Sequence, residues 1–209
     1  MIGFWNKAVY ITYLGAFFAV AGLIMFFETN NPDYAFIGMF LAMVCDTFDG
    51  KVARSIPNRT EKEKEFGIEI DSLGDIIDFI TVPALTIYKI IKDNGNMNKV
   101  VIAILALYCV CGIIRLAYFN VAMANKDKAI DYYTGVPVPV GVGIFAIVWL
   151  LAKFNVIVPA TESLIYTLLV PIVGYLHISK LRIKKITSNW FYITVIVLSL
   201  IAILFAIVF

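Results

Sequence analysis

The stretch YAFIGMFLAMVCDTFDGKVAR, Tyr34–Arg54, is half membrane segment and half acid cluster. From Tyr34 to Cys45 it carries no charge; from Asp46 onward come Asp46, Asp49, Lys51 and Arg54. A membrane helix needs roughly 20 residues, because each adds about 1.5 Å across a hydrocarbon core of about 30 Å. The apolar half is too short alone, so the helix is expected to continue into the acids. A second run, Asp71–Ile91, has the mirror-image order. Asp71, Asp75 and Asp78 come first and an apolar run follows.

Outward from this pair the chain reads as a series of spans. Ala8–Phe27, Val100–Ala122, Val136–Ala152, Val158–Leu176 and Trp190–Phe209 bring the expected number to seven. Of the 209 residues, 61% are hydrophobic and 15% charged, and mean hydropathy is +0.89. A soluble domain has about a quarter charged residues. The composition excludes a disordered chain, a fibre, a disulfide scaffold and a nucleic-acid-binding module. The expected fold is an all-α polytopic membrane bundle, one domain over 1–209, with a core about 8–177 and an extra C-terminal span at 190–209. Ala8–Phe27 exceeds the apolar core of a signal peptide, and no A-x-A site follows it, so it is expected to remain as a span. Cys45, Cys109 and Cys111 lie in apolar runs without zinc-ligand spacing and read as small buried hydrophobes.

Net charge is only +2, but its distribution is uneven. With the N-terminus inside, 13 of the 17 Lys and Arg residues fall on the cytoplasmic side. The four outside are Lys89, Lys92, Lys99 and Lys153. This follows the positive-inside rule and places the acidic ends of the second and third spans at the cytoplasmic face. The chain is therefore expected to be an integral cell-membrane protein whose active site faces the cytoplasm.

Five aspartates at two helix ends demand a physical account. Asp46 and Asp49 are three apart, and Asp71, Asp75 and Asp78 are four and three apart, so each set shares a helix face. So much negative charge at low dielectric must be protonated, paired or neutralised by metal. Lys51 and Arg54 cannot balance five acids, and helix-dipole capping accounts for one or two. Oxygen donors without His or Cys suit Mg²⁺, Mn²⁺ or Ca²⁺. Gly50, Ala53 and Gly67 keep the approach to the acids open, and the planar fork of Arg54 suits a phosphate. The whole set suits metal-assisted phosphoryl chemistry. A cation transporter is the alternative from another class; acids gathered at one end of their helices argue against it.

The string from Asp46 to Asp75 reads D-x-x-D-G-x-x-A-R, then G-x-x-x-D-x-x-x-D. It resembles the motif of the CDP-alcohol phosphotransferases at all eight fixed positions: Asp46, Asp49, Gly50, Ala53, Arg54, Gly67, Asp71 and Asp75. The resemblance implies that Asp46, Asp49, Asp71 and Asp75 hold two divalent ions, Mg²⁺ or Mn²⁺, on a CDP pyrophosphate. It implies that Gly50, Ala53, Arg54 and Gly67 bind the CDP-lipid, and that Asp75 is the base. It also implies a homodimer, and a six-helix core to which one span is added. Twelve residues separate Arg54 from Gly67, some four more than is usual in that family.

Three further segments resemble the phosphatidylserine synthases of that family. They are IDSLGDIIDFITVPA (Ile70–Ala84), CGIIRLAYFNV (Cys111–Val121) and YYTGVPVP (Tyr132–Pro139). The implied partners are CDP-diacylglycerol, L-serine and membrane lipids, with no nucleic acid, and the implied products are phosphatidylserine and CMP. Glycerol 3-phosphate, an inositol phosphate or choline are the alternative acceptors. Arg115 is the candidate for a lipid phosphate or the serine carboxylate, with Asn120 five residues on as a polar neighbour. Asp78 is open between orienting an acceptor amine, an ion pair and a protonated acid. The alternating charges of SIPNRTEKEKEF (Ser55–Phe66) read as a solvated helical cap or a lid over the nucleotide. His177 reads as a residue of the membrane interface, at the head of the basic run ending at Lys185.

Overall fold

A computed structural model describes residues 2–124 and 132–184, together with residues 197, 199–201 and 203–204. The elements are α1 (Lys7–Thr29), α2 (Asp33–Ser55), α3 (Glu61–Ile76), a π-helical turn (Ile77–Thr81), α4 (Val82–Asp93), α5 (Lys99–Ala124), β1 (Tyr132–Thr134), α6 (Val138–Lys153), α7 (Pro159–Ile178) and β2 (Arg182–Lys184). The all-α membrane expectation holds. By length and composition, α1, α7 and Lys99–Ala122 of α5 can each cross a bilayer. At 23 residues α2 is also long enough, about 34 Å, but its last third is acidic and basic as the sequence implies. Helix α6 has 16 residues, about 24 Å, and is shorter than an average hydrocarbon core. The expected span at 190–209 lies largely outside the described residues.

The described residues group into two compact units: one runs to Asp78 and takes in those beyond residue 186, the other is Phe79–Lys185. In the first unit, α1 opens on Asn6, whose side-chain oxygen accepts from the backbone N–H groups of Ala8 and Val9 at 3.1 and 3.2 Å. Asn30, left-handed at φ 57°, ends it and donates its N–H to Phe26 O. The two helices α1 and α2 lie in backbone contact at Gly22 and Gly38. A Cβ at Gly22 would collide with the carbonyl of Tyr34, and one at Gly38 would sit 2.5 Å from that of Phe18. Small residues let membrane helices approach so closely. Ala19, Ala35 and Ala42 are fully buried, with Phe26, Phe36 and Met39 packed beside them.

Helix α3 begins ten residues before the expected start of the third span. Thr60 is the reason. Its hydroxyl accepts from Glu63 N–H at 3.3 Å, while the Glu63 carboxylate accepts from Thr60 N–H at 2.8 Å. This capping box satisfies donors that would otherwise be orphaned, so the charged run from Glu61 winds into helix. The two bonds from Thr60 hold the Glu63 carboxyl below its usual range. Residues 61–66 are thus a largely solvated helical cap, as their alternating charges imply.

In the second unit, α4, α5, α6 and α7 pack around Tyr108, Phe145, Trp149 and Tyr166, all buried. Pro83 has no N–H to offer the Phe79 carbonyl four residues back. The Tyr108 hydroxyl donates to that carbonyl at 3.2 Å instead. Strands β1 and β2 form an antiparallel ribbon pairing Tyr132 with Lys184 and Thr134 with Arg182, a small departure from an all-helical chain. His177, near the end of α7, is 1% exposed. Its Nδ1 pairs with Val136 O at 2.9 Å, and its ring lies 5.8 Å from that of Tyr108. Helix α7 ends at Ile178, before the first lysine of the basic run.

Gly38→Ala is expected to lower stability by about 1–3 kcal/mol, because a carbonyl already fills the space a Cβ would need. Gly143→Ala, where no atom lies within 4 Å, is expected to raise it by about 0.5–1 kcal/mol through helix propensity. Thermal unfolding in detergent reads both, and equal effects would refute the close approach of α1 and α2.

Candidate active site

The cleft lies wholly within the first unit and is narrow and partly open. Its walls are Thr12 and Gly15 of α1, Ala42, Cys45, Asp46 and Asp49 of α2, and Asp71, Gly74, Asp75 and Asp78 from α3 and the π turn. All five aspartates that the sequence marks therefore line one space. The reason is local in each case. The 100° step of a helix stacks Asp46 with Asp49, and Asp71 with Asp75. Asp78 falls within the π turn, one helical turn beyond Asp75.

Carboxylate oxygens of Asp46, Asp49 and Asp71 lie within 4.8 Å of one another. Two unit charges at that distance repel by about 3 kcal/mol at an effective dielectric near 20. The ion pairs among the described residues, Lys64–Glu61 and Lys89–Asp93, do not involve the cleft aspartates. Asp78 is 4% exposed, and its buried Oδ1 has no hydrogen-bond partner among the described residues. The donor set is oxygen from several carboxylates, close enough to share a cation. That fits a hard divalent metal ion.

One contact in the cleft escapes a reading of the sequence. Thr12 Oγ1 donates to Asp49 Oδ2 at 2.6 Å and so fixes one carboxylate from the facing helix. Gly15 and Gly74 let α1 come near: a Cβ on Gly15 would lie 3.2 Å from Cys45 Cβ, and one on Gly74 equally close to the Thr12 methyl. The sequence carries a faint signal of this, because Thr12 and Gly15 are three apart and share a helix face. Nothing in the composition of a uniformly apolar span tells which face meets the acids.

The remaining candidate residues divide. The exposed Arg54 folds back over Gly50, with Nη1 3.4 Å from where a Cβ would sit. Ala53 offers its carbonyl, and Gly67 its missing side chain, to a residue the sequence reading passed over, Arg59. Arg115 and Asn120 belong to α5 in the second unit. Arg115 is 5% exposed, its guanidinium carbon 5.1 Å from the centre of the Phe119 ring.

Fold and cleft together define an integral α-helical membrane protein with a carboxylate-lined polar centre. The family profile described as CDP-alcohol phosphatidyltransferase matches residues 5–175, and the chain belongs to that family. Among curated proteins it is 34% identical over 166 residues to the CDP-diacylglycerol–serine O-phosphatidyltransferase of Helicobacter pylori, which covers 77% of this chain and 66% of that protein. It is 34% identical over 145 residues to the enzyme of the same name from Saccharomyces cerevisiae, covering 64% of this chain and 50% of that one. The archaetidylserine synthase of Methanothermobacter thermautotrophicus is 39% identical over 106 residues, 51% of this chain and 42% of that protein. The chain thus aligns with just under two thirds of the length of the Helicobacter relative and half of the yeast one. The family resemblance read from Asp46 to Asp75 is borne out.

Thr12→Val is expected to weaken Mn²⁺ binding about tenfold, since partners that orient a ligating carboxylate carry effects of that order. Thr12→Ser should retain it. The concentration of Mn²⁺ needed to raise the thermal midpoint is the readout, and an unchanged titration for Thr12→Val would contradict the role of this contact.

Proposed function

We propose that this chain transfers a phosphatidyl group from CDP-diacylglycerol to the hydroxyl of L-serine, giving phosphatidylserine and CMP. The observation that carries the reading is the single cleft lined by Asp46, Asp49, Asp71, Asp75 and Asp78, at the spacing of the family motif. The names of the relatives from Helicobacter, yeast and Methanothermobacter, all serine-directed, favour serine over other alcohols.

Asp46, Asp49 and Asp71, with Asp75, would hold two divalent ions, Mg²⁺ or Mn²⁺. Ions held by these carboxylates would supply charge neutralisation for the pyrophosphate and Lewis-acid polarisation of the phosphorus. Asp75 takes the proton of the serine hydroxyl. The hydroxyl oxygen then bonds to the lipid-side phosphorus, the bond from that phosphorus to the CMP oxygen breaks, and CMP leaves. The support for Asp75 as the base is its place as the last aspartate of the family motif. Gly50, Ala53, Arg54 and Gly67 would receive the CDP end of the lipid. Arg115 and Asn120 would meet the serine carboxylate or lipid phosphate, and Asp78 the acceptor amine. The acyl tails stay in the bilayer, and the excess of Lys and Arg on one side of the spans argues for a cytoplasmic cleft and an inside N-terminus. We further infer a single domain over 1–209 acting as a homodimer.

Release of CMP from CDP-diacylglycerol by the purified chain with Mn²⁺ tests the reading. Serine is expected to support it, while glycerol 3-phosphate, inositol phosphate and choline are not. Turnover with another alcohol and none with serine would overturn the acceptor assignment. Asp75→Asn is expected to lower kcat by about 10²–10⁴-fold, the usual worth of a positioned base, with CMP still bound. Full activity in that variant would remove Asp75 from the role.

A further inference from the structure

The loop between the two halves of the motif carries an arginine that lies against both of them. Asn58 takes a left-handed turn at φ 56° and Thr60 caps α3, so Arg59 is fixed between a turn and a helix start. Its Nη1 donates to Ala53 O at 3.2 Å and its Nη2 to Glu63 O at 3.0 Å. Nη2 also lies 2.7 Å from where a Cβ on Gly67 would stand. In this chain the missing side chain of Gly67 is thus occupied by a guanidinium. The Nε–H of Arg59 is buried without a hydrogen-bond partner among the described residues.

The position of this guanidinium relative to the acids is informative. Ala53 follows Asp49 by four residues, and Gly67 precedes Asp71 by four. On both helices Arg59 is therefore one turn, about 6 Å along the axis, beyond the carboxylates. Under the proposed function the carboxylates engage the pyrophosphate through metal. The part of the donor one turn further along is then the nucleoside. It presents carbonyl and ring-nitrogen acceptors to a planar fork of N–H donors, one of them without a partner.

We propose that Arg59 is a specificity-determining residue for the nucleoside end of the donor, its guanidinium reaching α3 in the space that Gly67 leaves open. The inference rests on the reading of the donor as a CDP-lipid. Ala53 O and Glu63 O hold the plane of the side chain in place, and the nucleotide supplies the acceptor that Nε lacks. The twelve-residue link between Arg54 and Gly67 holds the turn at Asn58 that brings Arg59 back against both helices.

A double-mutant cycle with CMP and inorganic pyrophosphate as probes, read as inhibition of CMP release and as shifts of thermal midpoint, tests this. Arg59→Ala is expected to weaken CMP tenfold or more and leave pyrophosphate within twofold. Arg59→Lys, which keeps charge but not the fork, should fall between. Gly67→Ala should weaken CMP tenfold in the wild-type background and add less than twofold to Arg59→Ala. Multiplying losses would show that Gly67 meets the nucleotide independently of Arg59 and would overturn the proposal. So would equal losses for CMP and pyrophosphate, or a lowered midpoint with unchanged CMP inhibition, which mark a brace between helices. If wild-type chain bound no CMP, the proposed function itself would fail; if it bound CMP and Arg59→Ala bound it equally, only the role of Arg59 would.

Discussion

Mutual repulsion among crowded, buried and half-buried carboxylates is the constraint to which the first unit is built. Three oxygens within 4.8 Å, with Asp75 and Asp78 in the same cleft, cannot remain bare anions at low dielectric. The chain nevertheless concentrates them, at the polar ends of helices it has to bury. A replacement by apolar residues of similar volume would cost less to fold. The cluster is retained for what it binds, and the surrounding structure holds it against its own repulsion.

That holding is done largely by α1, a helix without a charge from Ala8 to Phe27. Glycines at 15, 22, 38 and 74 remove the side chains that would keep it at normal distance. Once it is near, Thr12 places one hydroxyl on Asp49. Packing in the membrane half of the unit and electrostatics in its polar half are thus one problem. The approach that glycines permit is the approach the threonine needs. On the other side of the cleft the capping box at Thr60 starts α3 early and fixes where Gly67, Asp71 and Asp75 fall along it.

The parts legible in the sequence are those written in spacing. The five aspartates, the all-helical membrane class and the family follow from periodicity, hydropathy and eight fixed positions. What was not legible depends on which face of an apolar helix meets which neighbour. Thr12 looks like any hydroxyl in a span until α2 is laid against it. His177 stands beside a basic run, and nothing in the sequence tells that its ring packs inside the protein near Tyr108. Arg59 is hidden differently. It sits in a stretch of alternating charge, where each residue looks solvated, and only the turn at Asn58 and the cap at Thr60 send it back over Gly67. The early start of α3 has the same source, since a single side-chain cap outweighs the low hydropathy of Glu61–Glu65.

The central claim is that Asp46, Asp49 and Asp71 form, with Asp75, a divalent-metal centre that receives a pyrophosphate. Anomalous scattering at the manganese edge, from crystals of the full chain grown with Mn²⁺, tests it most directly. The account predicts peaks within about 2.5 Å of the oxygens of these carboxylates, lost in Asp49→Asn. A cleft without a peak while Mn²⁺ orders elsewhere on the chain, or peaks unaffected by Asp49→Asn, would contradict it.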